Sequence, residues 1–196
     1  MGSEMCIRDR YDNIYVGLVH YPVYNKNQET VCTSITNLDL HDIARSCKTY
    51  GIMNLFIINP QESQKEIFRQ LKKFWKSDFA KKYNIDRFDA FDIIEFVPDI
   101  SSAKAWIEKK FDKIPIVIST GARKVAGSLK YKEVRTILKR SFPKLILFGT
   151  GNGLTDEVIR MSNFHLQRIE GVKDYNHLSV RSAVSVTLDR LIAEYE

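Results

Sequence analysis

Cysteine is scarce in this 196-residue chain, with three in all. Cys6 lies in an atypical leading segment, and Cys32 and Cys47 are spaced neither as a CxxC pair nor as a zinc set. They read as reduced thiols of a cytoplasmic protein, and no bound metal is expected. Long apolar runs are missing too. No stretch approaches the ~20 residues that span a bilayer, so no membrane association is expected. Glu4, Arg8, Asp9 and Arg10 break up any secretory signal. No Lys-Ser/Thr follows the glycine-rich string at 149–153, which excludes a P-loop. Acid is nearly absent from 122–144, where Glu133 alone stands against Arg123, Lys124, Lys130, Lys132, Arg135, Lys139, Arg140 and Lys144.

What is present is an ordinary globular composition, 44% hydrophobic and 28% charged, with a net charge of +6. The charge and its clustering in 122–144, with a second basic run over 65–87, point to a polyanionic partner. Residues 1–10 resemble a translated adapter fragment and are expected to be a non-native extension. Residues 11–196 are expected to form a single domain.

Along the chain, β-forming runs alternate with amphipathic ones. Strands are expected at 14–20, 54–59, 91–96, 114–119, 144–148 and 164–168. Helices are expected at 40–50, 61–76, 101–111, 131–140, 155–161 and 178–195. Asp39 or Asn37 would cap the first helix. Ile67, Leu71, Phe74 and Trp75 would be the buried stripe of the second. The polar and aromatic stretch 76–88 is expected to be irregular. Apolar strands alternating with helices predict an α/β domain around a mostly parallel sheet.

Three turns would share the carboxyl edge of that sheet, where ligands bind in such folds. They are Ser119-Thr120-Gly121-Ala122-Arg123, then Phe148-Gly149-Thr150-Gly151-Asn152-Gly153-Leu154, and then the segment from Ile169 to Ser179. Glycines there would let backbone approach a ligand closely. As a set the turns fit an adenosine-type cofactor. A nucleotide-dependent Rossmann enzyme is an alternative, although the glycine string follows the last strong strand and not the first.

The strings His20-Tyr21-Pro22-Val23, Thr36-Asn37-Leu38-Asp39-Leu40-His41-Asp42-Ile43-Ala44-Arg45, Phe148-Gly149-Thr150-Gly151 and Tyr175-Asn176-His177-Leu178-Ser179-Val180-Arg181-Ser182-Ala183 resemble the SPOUT, or α/β-knot, superfamily. Over residues 12–194 the chain is most similar to a branch of predicted S-adenosylmethionine-dependent RNA methyltransferases. The resemblance implies a C-terminal trefoil knot, S-adenosyl-L-methionine as cofactor, a homodimer paired through the knot, and tRNA or rRNA as substrate. The chain departs from the better-known branches at Asp39 and His177, where each would have Asn. Gly153 follows Asn152 where they would have Glu.

On this resemblance the cofactor would be held by Ser119, Thr120, Gly121, Phe148, Gly149, Thr150, Gly151, Asn152, Gly153, Leu154, Ile169, Tyr175, Asn176, His177, Leu178 and Ser179. Arg45, Asp42 and His177 are the candidates for catalysis. Arg45 would contact phosphate or polarise the target, with a surface salt bridge as the other reading. Asp42 or Asp39 would serve as a base or as helix caps. Arg123, Lys124, Lys132, Arg135, Lys139 and Arg181 would bind RNA, Arg181 alternatively meeting a partner subunit. His20 and His41 are either structural or proton acceptors. Asp189 and Arg190 would form a structural pair or a dimer contact. An RNA-binding module of the same fold, holding the cofactor without turnover, is the alternative function.

Overall fold

A computed structural model of the chain describes residues 13–173 and 175–193. The expected extension at 1–10, Asp174 and the expected end of the last helix at Tyr195 lie outside them. Six strands form one sheet: β1 (Ile14–Val19), β4 (Leu55–Ile58), β5 (Ile94–Val97), β6 (Ile116–Ser119), β7 (Lys144–Gly149) and β8 (Phe164–His165). Their order is β5-β4-β1-β7-β6-β8, and every neighbouring pair is parallel. A separate antiparallel hairpin, β2 (Val23–Tyr24) with β3 (Thr30–Val31), leaves the end of β1.

The helices are α1 (Asn37–Thr49), α2 (Glu62–Trp75), α3 (Asp78–Tyr83), α4 (Ile85–Ala90), α5 (Ile100–Phe111), α6 (Tyr131–Leu138), α7 (Asp156–Met161) and α8 (Val180–Ile192). The α/β architecture is the one expected, a mostly parallel sheet flanked by helices. β1 is wholly buried and alternates between two cores. Ile14, Val16 and Leu18 join α1, α2, α4, α6 and α8 in one; Tyr15 and Val19 join α5 and α7 in the other. Covering both faces is what a parallel sheet with crossover helices requires.

The sequence expectations need five local corrections. Thr36, not Asp39 or Asn37, caps α1: its hydroxyl accepts from the Asp39 amide at 3.1 Å and donates to the Asp39 carboxylate at 2.7 Å. The stretch expected to be irregular folds as α3 and α4, because Ser77 and Asn84 each cap a short helix. The third predicted strand opens with a 3-10 turn at Phe91–Ile93 and becomes β5 only at Ile94. β8 ends at His165, after which Leu166 bridges to Leu129. Finally, α2 buries Gln64, Phe68 and Trp75, leaving Ile67 and Phe74 exposed. Both stripes have helical spacing, and the fold selects the one that meets α1 and β5.

Lys144, the first residue of β7, is fully buried. Its ammonium donates to Asn13 Oδ1 at 3.0 Å, the Leu138 carbonyl at 2.6 Å and the Arg140 carbonyl. It therefore satisfies carbonyls left over at the end of α6. Burial lowers its pKa to about 8.

Candidate functional site

The three turns follow β6, β7 and β8, which are adjacent and parallel, so all three leave the same edge of the sheet. A small cleft opens between the first two turns and the end of β8, lined by Thr120, Gly121, Arg123, Asn152, Gly153, Leu154 and His165 and by no described residue of the third turn. The first turn begins by continuing the ladder: the Thr120 amide and hydroxyl both donate to the Leu147 carbonyl, at 3.0 and 2.9 Å.

The glycine turn is held by the hairpin that leaves β1. The Asn152 amide donates to the Tyr24 carbonyl at 2.7 Å, and the Tyr24 amide donates to the Gly153 carbonyl at 2.9 Å. A methyl group on Gly149 would lie 2.6 Å from the Leu154 nitrogen, and one on Gly151 would lie 2.8 Å from the Tyr24 carbonyl oxygen. Two of the three glycines are therefore required by chain closure before any ligand is considered. Gly153, at φ +99°, has no atom within 4 Å of its missing methyl.

Behind this turn lies a chain of side-chain hydrogen bonds. His20 Nδ1 is 2.9 Å from Thr33 Oγ1, which is 2.5 Å from Thr150 Oγ1. Thr150 Oγ1 is 3.0 Å from the Val19 carbonyl. Each hydroxyl has one proton to give. Thr150 gives its proton to the carbonyl, so it accepts from Thr33, and Thr33 accepts from His20. The imidazole is protonated at Nδ1, and its buried Nε2 is an acceptor with no partner among the described residues. Burial lowers the His20 pKa to about 4, with the Asp39 charge opposing.

His165 repeats the pattern at the cleft. Its Nδ1 lies 2.9 Å from Ser119 Oγ, and its buried Nε2 has no partner among the described residues. Burial and the nearby Arg123 charge lower its pKa. Sequence reasoning passed over His165 and Thr33. The only signal for His165 was its place opposite Ser119 in the β6–β8 register, and Thr33 follows a hairpin too short to show a period.

The predicted RNA-binding residues divide. Lys124, Lys132 and Lys139 are exposed. Arg123 is committed internally: it donates to the Leu154 carbonyl at 3.0 Å and to Asp156 at 2.9 Å, joining the first turn to the second. Arg135 donates through Nε to the Arg190 carbonyl at 2.6 Å. Arg181, near the start of α8, pairs with Asp39 at 3.3 Å and Asp42 at 3.0 Å. Asp42 is thus held by Arg181, while Arg45, exposed on the same helix, makes no ion pair or side-chain hydrogen bond among the described residues.

The third turn is the least tied. Ser179 caps α8 by accepting from the Ser182 amide at 3.3 Å. Tyr175, His177 and Leu178 are exposed, and the Tyr175 and His177 rings meet at 5.9 Å. No side-chain hydrogen bond among the described residues links these three to the other turns. Asn176 keeps a buried Nδ2 without a partner there, and Ile169 is half-buried. Tyr50 donates to Asp189 at 2.9 Å, and the Arg190 guanidinium lies over the Tyr131 ring at 5.4 Å. Among the described residues no three His, Cys, Asp or Glu side chains group as a metal site, and no helix is long and apolar enough to cross a membrane.

The arrangement is a cleft of turn backbone with the His165 imidazole and the Asp156-paired Arg123 guanidinium on its wall. A family model described as SAM-dependent RNA methyltransferase matches residues 13–193. An uncharacterized protein of Aquifex aeolicus is 34% identical over 93% of this chain and 89% of its own length. A tRNA (guanine-N(1)-)-methyltransferase of Nitratidesulfovibrio vulgaris is 38% identical over 93% of this chain, which spans only 42% of that longer protein. Among solved structures, the SpoU methyltransferase AviRb of Streptomyces viridochromogenes with AdoMet superposes at a TM-score of 0.58, with 14% identity, over 98% of this chain and 62% of that one.

Proposed function

Because the chain belongs to the SAM-dependent RNA methyltransferase family, we propose that it transfers a methyl group directly, in line, to a nucleotide of tRNA or rRNA. The observation that carries the reading is a cleft between the turns after β6 and β7, at the sheet edge from which the third turn also leaves, with the buried His165 Nε2 on its wall left without a partner among the described residues. We further propose that it works in the cytoplasm as a homodimer, paired through a trefoil knot in its C-terminal part.

S-adenosylmethionine, when bound, supplies a methyl group made electrophilic by its sulfonium. The residues present fit it. Ser119, Thr120, Gly121, the turn 148–154, Ile169 and the segment from Tyr175 to Ser179 would surround it, with the open side of Gly153 toward the ligand. The buried Asn176 Nδ2 and His165 Nε2 are a donor and an acceptor available for its polar groups. The chain's own contribution is alignment, which supplies much of the rate in such transfers. Arg45, unpaired among the described residues, would hold phosphate, and the exposed Lys124, Lys132 and Lys139 would extend that grip. Asp42, fixed by Arg181, would orient the target or accept its proton, with His177 at the neighbouring turn. The guanine-N1 target in the name of the longer Nitratidesulfovibrio protein is not carried over, since only part of that protein is matched.

Calorimetry with S-adenosylmethionine is expected to show saturable one-site binding, and tritiated cofactor is expected to label RNA from cells lacking the gene. Absence of both heat and thermal protection would overturn the cofactor assignment. Binding with no label in any RNA fraction would favour the non-catalytic RNA-binding module, a reading to which the engagement of Asp42 by Arg181 lends weight.

A further inference from the structure

α3 is a six-residue helix that buries only Ala80. Its two large rings point into solvent, Phe79 at 65% and Tyr83 at 70% exposure. Four residues apart, they stand on one face, 6.2 Å between centroids and within 7° of parallel. Phe74, displaced from the expected stripe of α2 and 48% exposed, adds a third ring 6.2 Å from Phe79 and tilted 55° to it. Lys73, Lys81 and Lys82 flank the rings in sequence, all exposed and none in an ion pair among the described residues, with the Lys81 ammonium 5.4 Å from the Phe88 ring. Asp78 and Asp86 are the acids of these two short helices nearest the rings in sequence.

We propose that Phe74, Phe79 and Tyr83 form a stacking platform for unpaired bases of the RNA substrate, with Lys73, Lys81 and Lys82 meeting its phosphates. Aromatic faces in a basic surround are what single-stranded nucleic acid recognises, because every base has a π-face and every linkage a charge. Duplex RNA hides its base faces and offers the platform nothing to stack on. A second protein copy fits less well, since interface cores are depleted of lysine and this row is interleaved with it. The proposal rests on the RNA-substrate reading and adds the class of RNA segment, an unpaired loop or end, and the place that holds it.

The test uses the full chain, a short oligouridylate and a fully paired RNA duplex, with anisotropy read at fixed salt. The F79A/Y83A variant is expected to bind the oligouridylate roughly 10- to 100-fold more weakly, with duplex binding changed less than about 2-fold. F79W is expected to retain affinity. Replacing Lys73, Lys81 and Lys82 with Gln is expected to flatten the salt dependence by about 0.7 for each phosphate no longer neutralised. Both rings are exposed, so the variant's melting is expected to match the parent's. Unchanged oligouridylate affinity in F79A/Y83A overturns the platform. So does a loss of self-association with RNA affinity intact, which would assign the face to a second copy. A parent chain that binds no RNA overturns the platform and the RNA reading together, and cofactor calorimetry shows separately whether the cleft still functions.

Discussion

At the scale of single residues, the glycine turn is decided by packing within the chain. Gly151 sits at φ +57°, and its missing methyl would press to 2.8 Å against the Tyr24 carbonyl oxygen. An alanine there must hold a left-handed backbone and displace a strand of the hairpin. Gly149 fails for a different reason, its methyl position being 2.6 Å from the Leu154 nitrogen. G151A and G149A are each expected to cost about 1–3 kcal/mol in urea unfolding and to weaken S-adenosylmethionine binding. G153A, with open space at its methyl position but a backbone at φ +99°, is expected to cost backbone strain of about 1 kcal/mol without a clash. A G151A cost no larger than that of G153A would show that the hairpin does not clamp the turn. The sequence displayed these glycines plainly, but not their purpose. It pointed to ligand approach, because Gly151 is crowded by a two-residue strand too short to leave a periodic signal and Gly149 by the backbone of its own turn.

At the scale of elements, the junction of α1 and α8 joins the second and last signatures of the chain. Arg181 reaches Asp39 and Asp42, and Ser46 meets Ser185 at 2.7 Å further along the same two helices. The ion pairs are part-exposed, so their contribution is modest. A double-mutant cycle between R181A and D42N is expected to give a coupling of about 0.5–1 kcal/mol in unfolding, with a larger loss in transfer rate than in stability. Coupling near zero with normal activity would reduce Arg181 to a surface charge. Both helices were legible as amphipathic segments, since Leu40, Ile43, Ala44 and Cys47 on α1 and Val184, Leu188 and Leu191 on α8 keep helical spacing. That Arg181 would turn toward α1 was not legible, because a charge near a helix start carries no address. The short helices α3 and α4 were hidden for a related reason. Neither is long enough for a hydrophobic period, and their caps, Ser77 and Asn84, also read as loop residues.

At the scale of the whole molecule, the sheet edge was legible because apolar strands alternating with helices leave few alternatives to a parallel α/β core. The buried histidines were not, since burial is a property of the assembled fold. His20 is closed off behind the glycine turn. His41 is packed between Trp75 and Phe91, at ring separations of 4.5 and 4.8 Å, with neither ring nitrogen partnered among the described residues. Burial holds both pKa values at about 4, Arg87 adding to the effect at His41 while Asp42 opposes it. A histidine that titrates near 6.5 when unfolded and near 4 when folded is neutral in both states above pH 6.5 and has no effect on stability there. As pH falls below 6.5, the unfolded chain takes up the proton and the folded one does not, so stability drops until the folded pKa is reached. Each histidine is then expected to cost about 2 kcal/mol by pH 5 and at most about 3 kcal/mol below pH 4. Urea midpoints are therefore expected to fall between about pH 6.5 and about pH 4 more steeply than the carboxylates alone would make them, with a flat region above. H41L, which keeps an apolar side chain against Trp75 and Phe91, is expected to remove part of that slope. A parent chain whose stability is level from about pH 7 to about pH 5 would mean that both rings take up a proton in the folded state as they do in the unfolded one, and that the core around α1 opens to water more readily than its packing implies.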